Sequence, residues 1–537
     1  MATAVATTSS QHSVPESVRT GPTLLGHPLG LFLLFLVEMW ERFSYYGMRG
    51  LLVLYLVRST SGDDKGFNPG RGWSEGDAAT LYGWYTGLAY LFPIFGGIIA
   101  DKLIGTHRSM VAGGLLIALG HIILGLSGIG SLAHSALGMD VFIAGLAVIV
   151  LGTGHFKPTV SVMVGQLYEL NDPRRDGAFT IFYMGINLGA FICAFVCGTL
   201  GEKVGWHWGF GSAAVGMILG LLLYLFGKPK LLAGIGEAPT PGATGKAMGL
   251  VIGALALCAA FGVLVHLGVV KSVYSGTMNF FTGSTAGKTV GLALVALVIG
   301  SAVAFTVQQK EGDRGPTGSI FIFMFFNAFF WIAFEQAGSS INVFTEQSTD
   351  HTLFGYEVPA TWFQSINAGL IFILAPLFAA IWTGLGKRNM NPSQPVKIAL
   401  GLIFLGLGYV FMVMAGKTAA TGAKAGMMLV VVTYFWHTVG ELCLSPTGLS
   451  YVTKAAPVRF VSLLMGIWFV SSFIANLGGG LIAAKVEAIE RGEIKLPWNF
   501  GGRADFFALF VVSSVGAGVV ILVLSPILKK MLRPGTA

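Results

Sequence analysis

Five residues near the start of the chain bring acids, bases and a phenol together at helical spacing: Glu38, Glu41, Arg42, Tyr45 and Arg49. At about 100° per residue, these positions fall on one stripe of a helix. Glu38 and Arg42 form an i,i+4 pair in the favoured order, so local neutralisation explains that pair. It does not explain Glu41 or Arg49, and we therefore predict that the stripe faces a shared polar cavity.

Three further ionisable residues lie in apolar surroundings: Lys157, Glu335 and Glu441. An ionisable side chain inside a membrane costs about 3 kcal/mol or more unless it is paired or hydrated. The four carboxylates and three bases of the combined set leave one surplus negative charge unless a carboxyl group holds a proton, and a charge on His155 or His437 would change this count. Because burial favours the neutral acid and a nearby base favours the carboxylate, rearranged ion pairs can bind and release a proton. We therefore predict proton binding by these carboxyl groups, with structural pairing as the alternative.

The composition that surrounds these charges is that of a membrane protein. Of the 537 residues, 54% are apolar and 11% are charged, whereas about a quarter of the residues in a soluble domain are charged. The mean hydropathy of +0.73 and the 76 glycines are typical of packed transmembrane helices. The four cysteines lie in apolar segments without metal-site spacing, so we interpret them as packing residues. We assign the net charge of +8 to the loops and expect no nucleic-acid partner.

About 20 apolar residues cross a bilayer once. The chain has fourteen such segments, at residues 29–57, 78–104, 109–129, 141–169, 177–201, 207–226, 246–270, 288–308, 318–342, 359–385, 395–416, 425–454, 459–485 and 504–530. An even number places both ends of the chain on one side of the membrane. The short loops on that side carry the excess of Lys and Arg, which predicts that both termini are cytoplasmic.

Six spans precede residue 227 and six follow residue 317, with two between them. We predict an all-α membrane protein with the major facilitator fold, in which six plus six transmembrane helices are joined by an inserted helical hairpin. The predicted parts are a disordered cytoplasmic tail without signal-peptide features (1–28), a first bundle (29–227), a linker with two extra helices (228–317), a second bundle (318–530) and a cytoplasmic tail (531–537). No segment between spans is long enough for an enzyme domain, so we expect no enzyme.

The charges also differ between the two halves. The three intramembrane bases precede the hairpin, whereas Glu441 follows it. A cavity between the halves is then electrically polarised, and a zwitterion such as a short peptide fits that dipole. Peptide side chains need tolerant walls, and we expect Tyr46, Trp331 and Trp468 there, with core packing as an equally good interpretation of any one aromatic residue.

Six motifs resemble those of the proton-dependent oligopeptide transporter family, and they extend over most of the chain outside the tails and the hairpin. The run EMWERFSYYG at 38–47 is similar to the family signature ExxERFxYYG, which is highly specific. The other five are the lysine motif at 152–158, the FYxxINxG run at 182–189, the acidic motif at 330–336, and the runs at 362–367 and 441–448. Bacterial members of the family also have a helical pair between the two halves.

The resemblance implies a role for each candidate residue. Proton coupling is expected to involve Glu38, Glu41, Arg42 and Glu335. The peptide is expected to bind through its carboxylate to Arg49 and Lys157, which exchange partners with Glu335, through its amine to Glu441, and through its backbone to Asn187 and Asn367. The side-chain pockets are expected to contain Tyr45, Tyr46, Trp331, Ser445 and Trp468.

The resemblance further implies a proton-coupled importer of di- and tripeptides that works by alternating access, as a monomer in the bacterial inner membrane, with the proton as coupling ion and no cofactor. Animal members have a histidine in the second helix where this chain has Gly83, so proton binding rests on the carboxyl groups. The alternative is a transporter of the same fold for another small solute, such as nitrate or an amino-acid derivative. The combined presence of Lys157, Asn187, Asn367 and Glu441 favours a peptide, because nitrate has no ammonium group for Glu441.

Overall fold

The computed structural model describes residues 14–62, 66–169, 171–444 and 448–532. The α-helices are α1 Glu16–Arg19, α2 Leu29–Val57, α3 Glu75–Ile99, α4 Gly105–Leu126, α5 Ala136–Gln166, α6 Arg175–Cys193, α7 Thr199–Lys203, α8 Trp206–Leu231, α9 Ala243–His266, α10 Val269–Gly283, α11 Thr285–Val307, α12 Glu311–Phe334, α13 Ser340–Ser348, α14 Ser365–Lys387, α15 Gln394–Ala420, α16 Met427–Leu444, α17 Gly448–Ala455, α18 Val461–Ala483, α19 Val486–Glu490 and α20 Arg503–Met531. Two π-helical turns lie at Ala100–Ile104 and Ala194–Gly198, and 3₁₀ turns lie at Gly130–Leu132, Glu335–Gly338, Ala360–Gln364 and Val458–Phe460.

Strands are confined to short pairs in the loops of the described residues. They are β1 Thr23–Leu24 with β2 His27–Pro28, β3 Thr349–Asp350 with β6 Ala425–Gly426, and β4 Thr352–Leu353 with β5 Tyr356–Glu357. The first and last pairs are antiparallel, and the β3–β6 pair is parallel. They fix loop positions at the membrane faces and leave the core to the helices.

Twelve helical runs of the described residues are long and apolar enough to cross a membrane. One of them, Glu75–Leu126, crosses twice, because the chain reverses between α3 and α4 at Gly105, whose φ of 79° suits glycine. α2 is not among the twelve because its acids and bases interrupt the apolar sequence, but its 29 residues are sufficient to span a bilayer. The total of fourteen crossings agrees with the predicted arrangement of six, two and six.

The predicted boundaries differ from the observed ones in four places. The tail at 1–28 was predicted to be disordered, but its described part contains α1, β1 and β2, and Val18 is buried. The ninth span continues past its predicted end through a 3₁₀ turn into α13, and the twelfth ends at Leu444, with α17 described as a separate helix. Residues 445–447 between them, and therefore Ser445, lie outside the described residues. α10 was not predicted, because its 15 residues are too few and too polar to resemble a span. The predicted division of the chain near residues 227 and 318 stays a prediction.

The crossings pack into two groups, which we call the first bundle (α2–α8) and the second bundle (α12–α20). In the first bundle, α2 packs against α6 and α8, and α4 packs against α5 and α8. In the second, α15 packs against α16 and α20, and α12 packs against α18 and α20. The bundles meet where α3 lies along α18 and α6 lies along α14. Because crossings alternate, α2 begins and α20 ends on one face, which we call the terminal face; the other is the opposite face.

The contact between α3 and α18 depends on glycine. A Cβ atom on Gly480 would lie 2.5 Å from the Cα of Gly83 and 2.6 Å from the carbonyl oxygen of Ala79. Two helix backbones therefore touch here, as small residues allow in membranes. A side chain at Gly83 would likewise meet α18, since a Cβ atom there would lie 2.9 Å from the Cα atom of Gly480.

The inserted hairpin touches both bundles. α9 packs against α4 and α5 through a small apolar cluster that includes Leu116, Val148 and Cys258. α11 lies beside α12, where the ring centroids of Phe305 and Phe321 are 6.1 Å apart. Most side chains of both helices are exposed, as expected for a lipid-facing surface.

We predict that Gly480→Ala lowers the thermal stability of the detergent-solubilised protein. The added methyl group meets backbone atoms that have no alternative rotamer, and overpacking of this kind costs about 1 to 3 kcal/mol. The matched control is Gly466→Ala on the same helix, because a Cβ atom there has no neighbour within 4 Å. Unfolding would be followed by fluorescence against temperature. Equal melting temperatures for the two variants would contradict the close contact of α3 and α18.

Candidate functional site

A cavity of about 680 Å³ lies between the two bundles. Its walls come from α2, α3 and α6 on one side and from α12, α14 and α16 on the other. Seven residues proposed from the sequence line it: Tyr46, Arg49, Asn187, Trp331, Glu335, Asn367 and Glu441. The structure therefore brings residues from distant parts of the chain into one volume of the size that small ligands occupy.

The acids at the start of the α2 stripe share one base. Arg42 Nε lies 3.0 Å from Glu38 Oε1 and 2.5 Å from Glu41 Oε2, and all three side chains are buried. They lie behind the cavity wall and do not line it. Glu41 was expected to lack a local partner, but Arg42 reaches both acids. This group of two acids and one base has one negative charge when both acids are ionised.

Lys157 supplies a base without a direct carboxylate partner. Its Nζ atom lies 3.4 Å from the centre of the Tyr90 ring, a cation–π contact, and Tyr90 lines the cavity. No carboxylate among the described residues lies within 4.0 Å of this ammonium group. Lys157 therefore compensates the α2 acids only over a longer distance, and it is not among the residues that line the cavity.

The contact between Arg49 and Glu335 joins the two bundles. The guanidinium group of Arg49 pairs with the Glu335 carboxylate, and both side chains are buried. Arg49 Nε also donates to the Tyr82 hydroxyl at 2.5 Å. Glu335 reaches this position because α12 ends at Phe334 and a 3₁₀ turn follows. That turn needs Gly338, since a Cβ atom there would lie 1.9 Å from the Tyr82 oxygen.

Glu441 is the acid of the site that no cation neutralises directly. Its Oε2 atom accepts a hydrogen bond from Asn367 Nδ2 at 2.8 Å, and the same Asn367 nitrogen lies 3.0 Å from Thr438 Oγ1. No Lys, Arg or His of the described residues lies within 4.0 Å of this carboxylate. If Lys157 is counted with the α2 acids, and Arg49 with Glu335, the surplus negative charge predicted from the sequence belongs to Glu441.

The remaining predicted residues differ in their positions. Asn187 lines the cavity and donates to the carbonyl of Tyr183 at 3.0 Å, and Trp331 Nε1 donates to Asn327 Oδ1 at 3.2 Å. Tyr45 is 3% exposed and stacks beside Tyr85 outside the cavity lining. Trp468 is buried in the core of the second bundle and does not line the cavity either. Core packing, the alternative interpretation, fits both aromatic residues in this conformation.

Several cavity residues were not anticipated. They include Tyr90, Gln364, Phe378 and Trp382, together with Tyr82, which holds Arg49 from behind the wall. A single aromatic residue in an apolar helix has the same sequence signature as a core residue, so no pattern distinguished the aromatic ones. Gln364 lies within the motif at 362–367, but no role was assigned to it. The two histidines considered as alternative proton sites are not in the lining: His155 Nδ1 lies 3.1 Å from Ser109 Oγ, and the His437 ring packs against Tyr409.

Hydrogen bonds and ion pairs between the bundles gather near the opposite face. Arg58 pairs with Glu346 at 3.2 Å, Asn342 Nδ2 donates to the carbonyl of Gly50 at 2.9 Å, and Arg503 pairs with Glu75. On the terminal side of the ion pair, Phe378 and Trp382 extend the cavity along α14. The described contacts therefore close the cavity towards the opposite face.

Comparison with known proteins agrees with this arrangement. The family described as PTR2, the POT family, matches residues 107–496. The chain is 37% identical to the peptide transporter YePEPT of Yersinia enterocolitica over 95% of this chain and 96% of that protein. It is 34% identical to a di-/tripeptide transporter of Lactococcus lactis subsp. cremoris over 96% and 98%.

Solved structures give the same result. A crystal structure of a peptide transporter POT in complex with sulfate has a TM-score of 0.76 and 34% identity, with 96% of this chain and 97% of that chain covered. A POT family transporter in complex with a thioalcohol-conjugated peptide has a TM-score of 0.76 and 29% identity, with 96% and 100% covered. The motif resemblance and the predicted fold are therefore confirmed, and the chain belongs to the POT family of transporters.

Proposed function

We propose that this protein is a proton-coupled symporter that imports di- and tripeptides by alternating access. The observation that carries the proposal is the charge distribution of the cavity, which has Arg49 on the wall of the first bundle and Glu441 on that of the second. A short peptide has an anionic end and a cationic end at a fixed separation, so both ends find a partner. Relatives that are named as peptide transporters support this substrate class.

In this proposal, Glu441 binds the peptide amine. The carboxylate has a hydrogen bond from Asn367 but no cationic neighbour within 4.0 Å among the described residues, so an ammonium group completes its environment. The peptide carboxylate lies at the other wall, near Arg49, and Lys157 attracts it electrostatically. Asn187 and Asn367 then face the peptide backbone, because both line the cavity between the two ends.

A zwitterionic amino-acid derivative is the second candidate substrate. A POT family transporter that is 28% identical to this chain has been solved in complex with 5-aminolevulinic acid. Such a molecule also carries an ammonium and a carboxylate group, so the same two walls suit it. The cavity of about 680 Å³ has room for the longer di- and tripeptides, which we regard as the main substrates.

Proton coupling follows from the pair of Arg49 and Glu335. Protonation of Glu335 removes the charge that holds Arg49, and a peptide carboxylate competes for the same guanidinium group. Proton and peptide then act on one contact between the bundles, so both shift the same equilibrium between conformations, and binding of one changes the affinity for the other. Glu38, Glu41 and Arg42 form a second group of ionisable residues on α2, and we propose that it exchanges protons with the site.

The proposal also assigns a direction. We propose that the terminal face is cytoplasmic in a bacterial inner membrane, a topology that the short basic loops support, and that the conformation described here is therefore closed to the outside. We further propose that the protein works as a monomer, that it catalyses no covalent step, and that the proton is its only coupling ion.

We predict that Glu335→Gln abolishes uptake driven by a proton gradient but retains exchange of peptide for peptide. The amide mimics a permanently protonated acid, so proton binding can no longer change the charge that holds Arg49. Proteoliposomes with an imposed pH gradient and a labelled dipeptide would measure accumulation, which we expect to fall at least about tenfold, a change equivalent to about 1.4 kcal/mol. Glu41→Gln should have the same effect if that acid carries the transported proton.

The matched control for this experiment is Glu311→Gln, at the exposed start of the same helical run. It changes a carboxylate to an amide outside the cavity and should leave accumulation intact. Normal accumulation in both Glu335→Gln and Glu41→Gln would reject the carboxylate mechanism and favour His155 or His437 as the proton site.

We predict that Glu441→Gln weakens peptide binding by about 10- to 100-fold. The change replaces a charge-assisted contact with a neutral one, a difference of about 1.5 to 3 kcal/mol. Binding of the free dipeptide and its N-acetylated form would be measured for both proteins. Acetylation of the peptide should lower the affinity of the variant little further, since the mutation and the acetylation remove the same contact. Fully additive losses would place the amine elsewhere.

We predict that a C-terminally amidated dipeptide competes poorly with the free acid. The amide has no negative charge for Arg49 or Lys157, and the difference should shrink in Lys157→Gln, in which one of the two cations is missing. Competition against a labelled dipeptide in detergent measures this effect. Equal inhibition by amide and acid in the unmodified protein would show that the cations do not bind the carboxylate.

A further inference from the structure

A second contact between the bundles lies beyond the pair of Arg49 and Glu335, at the opposite face. The Glu202 carboxylate accepts hydrogen bonds from the backbone N–H groups of Ala360 and Thr361 at 2.9 and 3.0 Å. It also accepts one from the Thr361 hydroxyl at 2.5 Å. Glu202 belongs to α7 of the first bundle, whereas Ala360 begins the helical run Ala360–Lys387 of the second. A carboxylate of one bundle therefore caps a helix of the other.

The packing around this contact is tight. A Cβ atom on Gly198 would lie 2.1 Å from Thr361 Oγ1, and Trp362 Nε1 donates to Thr199 Oγ1 at 2.9 Å. The ring centroids of Phe195 and Trp362 are 4.8 Å apart. Gly198 and Thr361 both line the central cavity. The Glu202 contact is thus part of the layer that closes the cavity towards the opposite face.

The bases near Glu202 pair with other acids, so the partners of Glu202 are the donors at the start of the helical run. Lys203 pairs with Glu357 at 2.8 Å in an exposed position, and Arg58 pairs with Glu346 at 3.2 Å. No base among the described residues lies within 4.0 Å of the Glu202 carboxylate. Exposed ion pairs contribute little because water screens them. Glu202 instead accepts from two backbone N–H groups and one hydroxyl group. The positions of the two backbone donors do not depend on side-chain rotamers.

We propose that Glu202 is a gating residue that holds the cavity closed at the opposite face. The proposal rests on the alternating access proposed above, because opening that face must separate α7 from the 3₁₀ turn Ala360–Gln364 that leads into α14. In the closed form, Glu202 caps the helix; in the open form, water takes its place on both partners. The contact adds to the pair of Arg49 and Glu335 and involves neither substrate nor the acids on α2.

The test measures the distance between the bundles at the opposite face. Spin labels on Ile129→Cys and Phe354→Cys report this distance, because both positions are exposed, at 61% and 101%, and belong to different bundles. The four native cysteines are all buried, but Cys193 also lines the cavity, so Cys193→Ala is included in the parent and in every variant. Electron–electron double resonance in detergent should give mainly the short distance for the parent. Glu202→Gln should raise the ratio of long to short distances about tenfold, because the charge is lost and the amide nitrogen cannot accept a hydrogen bond from the N–H donor that it faces.

The control is Glu357→Gln. It removes the exposed ion pair between Glu357 and Lys203, the residue that follows Glu202 in the sequence. It should leave the distance distribution unchanged. Thr361→Val tests the contact from the other bundle and provides a reading if Glu202→Gln does not fold; it should shift the distances in the same direction. Distances that stay at the parent values in the folded variants would overturn the proposal. Because the readout needs no transport, a failure of the proposed peptide uptake would leave the result on Glu202 interpretable.

Discussion

A charge within the bilayer must be balanced by an opposite charge or by hydrogen bonds, and this requirement organises the centre of the protein. Arg42 is shared by two acids of its own helix, and Asn367 holds Glu441 by a hydrogen bond. The pair of Arg49 and Glu335 is different, because its members belong to different bundles. This contact therefore links charge balance to the closed form: separating the bundles at this point exposes two buried charges unless water, a proton or a ligand replaces the partner.

The requirement also explains how much of the site could be predicted. Charged residues are so rare in apolar segments that the acids and bases of α2, with Lys157, Glu335 and Glu441, stand out without any structure. The helical spacing of the α2 residues identified a common stripe, and the family motifs identified the site residues of the second bundle. The sharing of Arg42 by two acids could not be predicted, because i,i+1 neighbours do not normally face each other and the contact depends on side-chain rotamers.

Uncharged residues were harder to assign. Tyr46 and Trp331 line the cavity whereas Tyr45 and Trp468 are packed in the core, although all four are aromatic residues in apolar helices. The difference lies in helix rotation and in the gap between bundles, which a sequence pattern does not record. The fourteen crossings were predictable from length and hydropathy. The 3₁₀ turn that places Glu335 was not, because its fit against Tyr82 at Gly338 is a tertiary contact that the local sequence does not record.

The hairpin has a mechanical consequence. One of its arms, α9, is carried by the first bundle, and the other, α11, lies against the second. The elbow between them is α10, which follows Gly268, a residue with a φ of 71°. Rotation of one bundle relative to the other must therefore change the angle at this elbow. The hairpin therefore connects the two bundles on the lipid-facing surface. The angle between α9 and α11 is a measure of the relative orientation of the bundles.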